Sequence, residues 1–220
     1  MGIEDIIGYR FRKAPLLEEA LTHPSCAENR GGVPFSYQRL EFLGDAVLGI
    51  AVAELLFTLY PQENEGSLAK RHAALVRSEA LAEVARRLGL GPHIRMSGSG
   101  RDSGRDLNSN LEDVCEALIG ALYLDGGFEI ARAFVLAHWE PMARAMNAPP
   151  KDAKTALQEW AQGRGLSLPE YRVLSTIGPA HAPEFTIAAV VTGAEPAVAK
   201  AASKRQAEQL AAKALLEQLE

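Results

Sequence analysis

The sequence predicts a soluble protein of two domains, an all-α domain followed by a small α+β domain. Up to about residue 146 the chain is rich in helix-forming residues and has few alternating β-branched runs. The stretch "MNAPPKDAK", residues 146–154, places two prolines among small and polar residues and indicates a short linker. Beyond it, glycine and proline turns separate three short strand-like runs. We therefore place the first domain at 1–147, the linker at 148–152 and the second domain at 153–220.

Helical spacing of apolar residues predicts six helices in the first domain. In chain order they run from about Leu16 to Leu21, Tyr37 to Tyr60, Glu65 to Arg77, Ser78 to Leu88, Ser109 to Asp125 and Phe128 to Met146. The second of them contains "RLEFLGDAVLGI", in which Leu40, Leu43 and Val47 recur on one face. An all-α domain follows from this order.

The second domain is predicted to have the element order α-β-β-β-α. The run "DAKTALQEWAQGRG" is an amphipathic helix that ends at a glycine. Three short strands follow in "EYRVLSTIG", "PEFTIAAVVTG" and "PAVAKAA". The final run, "SKRQAEQLAAKALLEQLE", is a helix with Ser203 as its N-cap.

Length and composition are those of an ordinary soluble globular chain. The protein has 220 residues, of which 47% are hydrophobic, so it can bury a substantial core. No apolar run reaches about 18 residues, so we expect no membrane helix and no membrane partner. The start, "MGIEDIIGYRF", carries acids too early and an apolar run too short for a secretory signal. Cys26 and Cys115 lack zinc or disulfide spacing, so we expect a reducing, cytoplasmic location.

Two pairs of carboxylates lie inside apolar helical sequence. Residues four apart in a helix lie roughly 40° from each other around the axis, so Glu41 and Asp45 share a face. Asp113 and Glu116, three apart in "NLEDVCEALIGALYLDGG", also share a face. Leaving four carboxylates uncompensated on apolar helices is costly, and Arg39 alone cannot neutralise them all.

These pairs allow two interpretations. In the first, the two helices meet around Mg²⁺, a hard cation that prefers oxygen ligands. Such an ion activates water and stabilises the charge that develops on a phosphodiester. In the second, each pair is half-exposed and simply solvated, as acids on helices usually are. The pattern alone leaves both open.

Several motifs together resemble the ribonuclease III family of double-strand-specific endoribonucleases. The run "QRLEFLGDAVLG" closely resembles that family's hallmark helix, and "LEDVCEALIGALYLDGG" resembles its second acidic helix. "LTHPS", residues 21–25, and "NEGSLAKRHAALVRSEALAEVA", residues 64–85, fall in the family's usual order. The resemblance covers nearly the whole chain. It implies a ribonuclease III catalytic domain followed by a double-stranded-RNA-binding domain.

The resemblance also implies an active site and its chemistry. Four acids match the family's ligands of the catalytic Mg²⁺, for which Mn²⁺ can substitute: Glu41, Asp45, Asp113 and Glu116. We expect Asp45 and Glu116 to be least replaceable, and the other two to orient ligands or waters. In-line attack of activated water on duplex RNA then leaves 5′-phosphate and 3′-hydroxyl ends. A homodimer through the catalytic domain, and processing of ribosomal-RNA precursors and some messenger RNAs, are further implications.

Three further positions lie near these motifs. Many family members have Glu where this chain has Gln38, and a neutral amide should weaken a second metal contact without removing the first. Glu65 matches another acid near the family's site, and an acid in a first helical turn is an equally good explanation. Glu112 is an added acid beside Asp113, and helical geometry turns it about 100° away, onto a solvated face.

The second domain supplies the candidate RNA contacts. Thr155, Gln158 and Gln162 share one helical face, where polar side chains suit the 2′-hydroxyls of a minor groove. A plain exposed face has the same pattern. The resemblance places His181 in a loop that enters the next minor groove, and Ser203 at the start of the last helix.

Positive charge in the second domain is local. Residues 152–220 contain seven Lys and Arg against eight Asp and Glu, so the domain as a whole is not basic. Lys204 and Arg205 add charge to the free amides of a helix N-terminus. With Lys200 and Lys154 they form the candidate phosphate contacts, and so few contacts predict modest, salt-sensitive binding to double-stranded RNA.

We interpret the chain as a Mg²⁺-dependent endoribonuclease of double-stranded RNA. One alternative is a non-catalytic double-stranded-RNA-binding protein with the same fold, for which Gln38 is the best support. Another is a Mg²⁺-dependent hydrolase of small phosphoesters, which the second domain disfavours.

Overall fold

The computed structural model describes residues 2–98, 104–150, 152–179 and 183–219. Its contacts divide the chain into two compact units, Met1–Pro150 and Lys151–Glu220. The predicted RNA contact His181 lies outside the described residues.

The first unit consists of helices and one short hairpin. Its elements in chain order are α1 (Ile3–Ile7), α2 (Ala14–Ala20), β1 (Glu28–Arg30), β2 (Val33–Phe35), α3 (Gln38–Leu59), α4 (Glu65–Leu75), α5 (Ser78–Arg87), α6 (Asn108–Gly126) and α7 (Phe128–Ala145). Every helix from α2 to α7 was expected from the sequence, with ends that agree within two residues. The predicted helical fold of this domain is confirmed.

The sequence prediction omits two short elements of this unit. α1 has only five residues, too few for the helical period to repeat. β1 and β2 pair antiparallel around Gly31 and Gly32, whose φ angles of 65° and 87° suit glycine. Strands of three residues give almost no alternation to detect. The hairpin is an addition to the predicted helices and leaves the helical fold class unchanged.

The centre of the first unit is the pair α3 and α6. α6 is surrounded on almost every side, and all residues from Val114 to Leu122 are buried. α7 contributes Trp139, which is fully buried and donates its indole N–H to the Leu75 carbonyl at 2.8 Å. Removing a buried tryptophan ring costs about 3–5 kcal/mol, so α7 is firmly fixed to this core.

The end of α6 ties the N-terminal segment to the core through Asp125. Its carboxylate accepts hydrogen bonds from the Tyr9 hydroxyl at 2.8 Å and from the backbone N–H groups of Arg12 at 2.8 Å and Lys13 at 2.9 Å. Burial opposes ionisation of this group. The hydrogen bonds outweigh that effect and lower the pKa of Asp125.

α3 is, within the described ranges, the one helix long and apolar enough to cross a membrane, with a mean hydropathy of 1.9. The sequence prediction of no such segment overlooked it, because charged residues interrupt its apolar runs. One face of α3 is buried in the unit, including Leu48, Val52 and Leu56. Core helices of soluble proteins commonly meet the same length and hydropathy criteria, so the buried face accounts for much of this apolar character.

The second unit has the predicted order of elements, which confirms the α+β domain. They are α8 (Ala153–Gln162), β3 (Glu170–Ile177), β4 (Glu184–Val190), β5 (Ala197–Ala201) and α9 (Lys204–Leu219). The strands form one antiparallel sheet in the order β3-β4-β5. Its core consists of small and branched side chains from both helices and the sheet, among them Leu157, Ala189 and Leu215.

Both helices of this unit begin with a side-chain cap. The Asp152 carboxylate accepts a hydrogen bond from the Thr155 N–H at 3.0 Å and starts α8. The Ser203 hydroxyl oxygen accepts from the Gln206 N–H at 3.2 Å and starts α9. The predicted N-cap at Ser203 is confirmed.

Candidate active site

Two glycines allow α3 and α6 to touch backbone to backbone. A Cβ atom on Gly44 would lie 1.8 Å from the carbonyl oxygen of Glu116, and one on Gly120 would lie 2.3 Å from the carbonyl oxygen of Leu40. No side chain fits at either position, so glycine is required for this approach. The contact places Glu41 and Asp45, which flank Gly44, beside the first turns of α6.

The four predicted acids share the edge of this contact. Glu116 is buried, with 8% of its surface exposed, whereas Asp45 is exposed and Glu41 and Asp113 are half-buried. Burial, followed by the charges of Asp45 and its acidic neighbours, raises the pKa of Glu116 to about 8. Burial and then Asp113 likewise raise the pKa of Glu41. The acids are therefore electrostatic neighbours, although they come from sequence positions about 70 residues apart.

No Lys or Arg side chain of the described ranges pairs with these acids, and the nearby His23 acts on Asp113 without forming an ion pair. None of the four forms an ion pair there, and Arg39 is exposed without one. No three His, Cys, Asp or Glu side chains of that part of the chain already form a metal-binding group. The donors present are all carboxylate oxygens, which is the ligand type that Mg²⁺ and Mn²⁺ prefer. The donor chemistry therefore fits a hard divalent cation.

Tyr37, which sequence reasoning missed, contacts this site directly. Its hydroxyl donates a hydrogen bond to Oδ2 of Asp113 at 2.9 Å. Burial raises the pKa of Asp113, whereas this hydrogen bond and the nearby His23 act in the opposite direction. The bond joins residues 76 positions apart, so no local sequence pattern reveals it.

Glu112 faces the site, contrary to the sequence interpretation. It is half-buried, and its charge contributes to the raised pKa values of both Glu41 and Glu116. The expectation of a solvated face is met only in part, and a fifth carboxylate adds negative charge near the four acids.

The two accessory candidates occupy different places. Gln38 is exposed in the first turn of α3, and its amide oxygen lies 3.5 Å from the Ser36 hydroxyl. Glu65 is exposed at the start of α4, in a groove lined also by Ala53 and Phe57. Ala53 lies eight residues beyond Asp45, about 12 Å along α3. Glu65 therefore lies by the far half of α3, apart from the four acids of the same chain.

The predicted contacts on α8 are all available to solvent. Thr155, Gln158 and Gln162 are exposed along one side of the helix. The Thr155 hydroxyl also lies 3.3 Å from the Asp152 carboxylate that caps the helix. The polar face on which the RNA-binding prediction depends is present.

The four candidate cations of the second domain fall into two groups. Lys154 bonds to Glu208 at 2.6 Å and lies over the ring of Tyr171, and Lys200 pairs with Glu184 at 3.2 Å. Lys204 and Arg205 are exposed at the start of α9 and form no ion pair with the described residues. These two have the most freely available charge for phosphates.

Comparisons with known proteins match both units. A family model described as ribonuclease-III-like matches residues 13–141, and one described as double-stranded RNA binding motif matches residues 153–219. Ribonuclease 3 of Anaplasma phagocytophilum (strain HZ) is 49% identical over 216 residues, which cover 97% of this chain and 90% of that protein. Ribonuclease 3 of Methylocella silvestris is 48% identical over 215 residues, which cover 98% of this chain and 90% of that protein.

Solved structures match the first unit. The nuclease domain of ribonuclease III from Campylobacter jejuni, described for structural flexibility in a region involved in dimer formation, is 40% identical with a TM-score of 0.58. The match covers 63% of this chain and 94% of that domain.

Proposed function

Since this chain belongs to the ribonuclease III family, we propose that it cleaves double-stranded RNA with a divalent metal ion held by its site carboxylates. The chain is an endoribonuclease, and its second domain is a double-stranded-RNA-binding domain. The observation that carries the metal proposal is the pairing of two acidic helices in backbone contact, whose four acids form no ion pair with the described residues.

Mg²⁺ is the proposed cofactor, with Mn²⁺ as a substitute. When bound, such an ion lowers the pKa of water and stabilises negative charge on the phosphodiester. Asp45 and Glu116 are proposed to be the least replaceable of the four carboxylate ligands, because one is open to solvent and the other is a buried carboxylate without an ion-pair partner among the described residues. Glu41 and Asp113 orient ligands and water from the flanking positions. Cleavage leaves 5′-phosphate and 3′-hydroxyl ends.

The proposed roles follow from where each side chain lies. Burial and the neighbouring acids raise the pKa of Glu116, so a bound cation would favour its ionised form and couple its ionisation to metal binding. The exposed Asp45 is accessible to a substrate from solvent. Gln38 offers a neutral oxygen one turn before Glu41 and makes the weaker, accessory contact. Glu65 remains a second accessory candidate.

The protein is proposed to work as a homodimer through its first domain. An exposed apolar stripe runs along α3, with Phe42 82%, Ile50 60% and Phe57 73% exposed. Large apolar side chains clustered on one helix are typical of a protein interface. We expect sedimentation equilibrium to give the mass of two chains for the wild type and one for Ile50→Asp. Val33→Asp, at an exposed apolar position of the hairpin, is the matched control and should stay dimeric.

The RNA contacts are proposed to be of two kinds, hydrogen bonds to 2′-hydroxyls and ionic contacts to phosphates. Thr155, Gln158 and Gln162 suit 2′-hydroxyls, and Lys204 and Arg205 suit phosphates at the α9 N-terminus. His181 is proposed for the adjacent minor groove on the family resemblance alone. A cytoplasmic location and processing of ribosomal-RNA precursors and some messenger RNAs belong to the same proposal.

The decisive experiment is cleavage of a long RNA duplex by the purified full chain. Duplex and matched single strand are incubated with Mg²⁺, with Mn²⁺ and with chelator. We expect duplex-only, metal-dependent cutting, and its loss in Glu116→Gln, because an amide cannot supply the anionic ligand. Glu83→Gln, an exposed glutamate of α5, is the control and should cut like the wild type.

Each other outcome has a distinct meaning. Cutting that survives chelator would overturn the metal proposal. Intact duplex that still shifts on a gel would favour the non-catalytic RNA-binding alternative, and Gln38→Glu is then the first variant to make. Hydrolysis of a small nucleotide ester in place of duplex RNA would favour a phosphoesterase.

A further inference from the structure

Tyr37 is built into the acidic site but is not one of its carboxylates. It directly precedes α3 and is only 3% exposed. Its hydroxyl donates to Oδ2 of Asp113 at 2.9 Å, and its backbone N–H donates to the Thr22 carbonyl at 2.9 Å. A ring that is buried at one end and hydrogen-bonded at the other has little freedom to move.

The segment behind Tyr37 is itself fixed. The His23 ring packs edge-on against the Tyr37 ring, with centroids 5.7 Å apart. Nδ1 of His23 lies 2.8 Å from the Ser25 hydroxyl and accepts the Ser25 N–H at 3.0 Å. The backbone N–H of His23 donates to the Arg95 carbonyl at 2.9 Å. The "LTHPS" segment therefore supports the tyrosine, and the tyrosine supports Asp113.

The bond occupies one oxygen of Asp113 and leaves the other available. Among the described residues, Oδ1 of Asp113 has no hydrogen-bond partner. An aspartate on a helix can otherwise rotate about two side-chain bonds, and a bond to one oxygen restricts both. Partners of this kind, which hold a metal ligand from behind, typically change metal affinity 10- to 100-fold.

We propose that Tyr37 is a positioning residue, which holds Asp113 so that its free oxygen faces the metal ion. This inference rests on the proposed metal-dependent function. It adds a residue that neither helical periodicity nor the acidic motifs indicate. The role belongs to the hydroxyl alone, because the aromatic ring serves the packing against His23.

The test compares two Tyr→Phe variants with the wild type. Tyr37→Phe keeps the ring and removes the bond to Asp113. Tyr9→Phe removes an equivalent tyrosine–carboxylate bond, at 2.8 Å to Asp125, in a different part of the same unit. Mn²⁺ binding to metal-free full chain is measured by electron paramagnetic resonance, and Mg²⁺ dependence of duplex cleavage and thermal unfolding are measured in parallel.

We expect Tyr37→Phe to bind Mn²⁺ about 10-fold more weakly and to need correspondingly more Mg²⁺ for half-maximal cleavage. Its rate at saturating Mg²⁺ should stay close to that of the wild type. Tyr9→Phe should lose thermal stability and keep wild-type Mn²⁺ affinity. In an Asp113→Asn background, the Tyr37→Phe change should have no further effect on Mn²⁺ binding, since Tyr37 acts through Asp113.

The outcomes separate this inference from the function on which it rests. Wild-type Mn²⁺ affinity in Tyr37→Phe, with wild-type protein that binds the ion and cuts duplex, overturns the role of Tyr37 alone. An additional loss of affinity in the Asp113→Asn background also overturns it. Wild-type protein that neither binds Mn²⁺ nor cuts duplex overturns the proposed function itself.

Discussion

Replacing Gly44 by alanine tests whether the backbone contact between α3 and α6 builds the active site. The added Cβ atom would lie 1.8 Å from the Glu116 carbonyl oxygen, 2.5 Å from its carbon and 3.0 Å from the Gly120 nitrogen. All three atoms are backbone, so no side-chain rotation relieves the overlap. The two helices must separate.

The size of the effect follows from these distances. A non-bonded carbon and oxygen approach to about 3.3 Å, so the helices must move apart by about 1.5 Å. Overpacking typically costs about 1–3 kcal/mol, and an overlap with rigid backbone atoms belongs at the upper end of that range, while alanine regains about 1 kcal/mol of helix propensity. We therefore expect Gly44→Ala to lower the free energy of unfolding by about 2 kcal/mol. A displacement of about 1 Å at a catalytic site costs about 100-fold in rate.

Urea denaturation and duplex cleavage check both effects, and the same helix provides the control. Gly49 also lies in α3, but a Cβ there meets nothing closer than Nε2 of His72, at 4.0 Å. Gly49→Ala should match or exceed wild-type stability and keep its activity. If Gly44→Ala and Gly49→Ala unfold at the same urea concentration and cut equally well, the helix contact does not position the site.

Three further predictions concern charge. Asp125→Asn should lower the free energy of unfolding at neutral pH. Because hydrogen bonds lower the pKa of Asp125 in the folded state, this difference from the wild type should shrink as pH falls below about 4. Urea denaturation at pH 7 and pH 3 measures it. Lys204→Ala with Arg205→Ala should weaken duplex binding and reduce the slope of log affinity against log salt by up to about 2, as gel shifts at several salt concentrations would show. Gln38→Glu should lower the Mg²⁺ concentration needed for half-maximal cleavage, because a carboxylate binds Mg²⁺ better than a neutral amide. The same half-maximal concentration in variant and wild type would contradict this prediction.

The four acids were predictable because their signal is local. Carboxylates at helical spacing inside apolar sequence stand out, and the spacing alone shows that each pair shares a face. The main helices were predictable for the same reason, since each repeats its apolar period over several turns. In the second domain, Gly and Pro turns and the Ser203 cap marked the elements directly.

What the sequence did not predict depends on contacts between distant segments. The Tyr37–Asp113 bond requires knowing how the entry to α3 approaches α6. The placement of Glu112 depends on which side of α6 faces α3, and periodicity gives only angles around a single helix. The partners of Lys154 and Lys200 are likewise tertiary, and these ion pairs make the two lysines less freely available than Lys204 and Arg205.

The glycine contact and the acidic cluster impose opposite demands on the same helices. Close packing of α6 stabilises the fold but buries Glu116, and this burial together with the surrounding like charges raises its pKa to about 8. Because this folded-state pKa lies above the unfolded value, metal-free protein should lose stability as pH rises from about 4.5 to 8. Glu116→Gln removes the ionisable group, so its metal-free stability should depend less on pH and exceed that of the wild type near pH 8, although its cleavage is lost. A destabilised, inactive Glu116→Gln would instead indicate that Glu116 serves the packing of α6, and that the site acids do not oppose the fold.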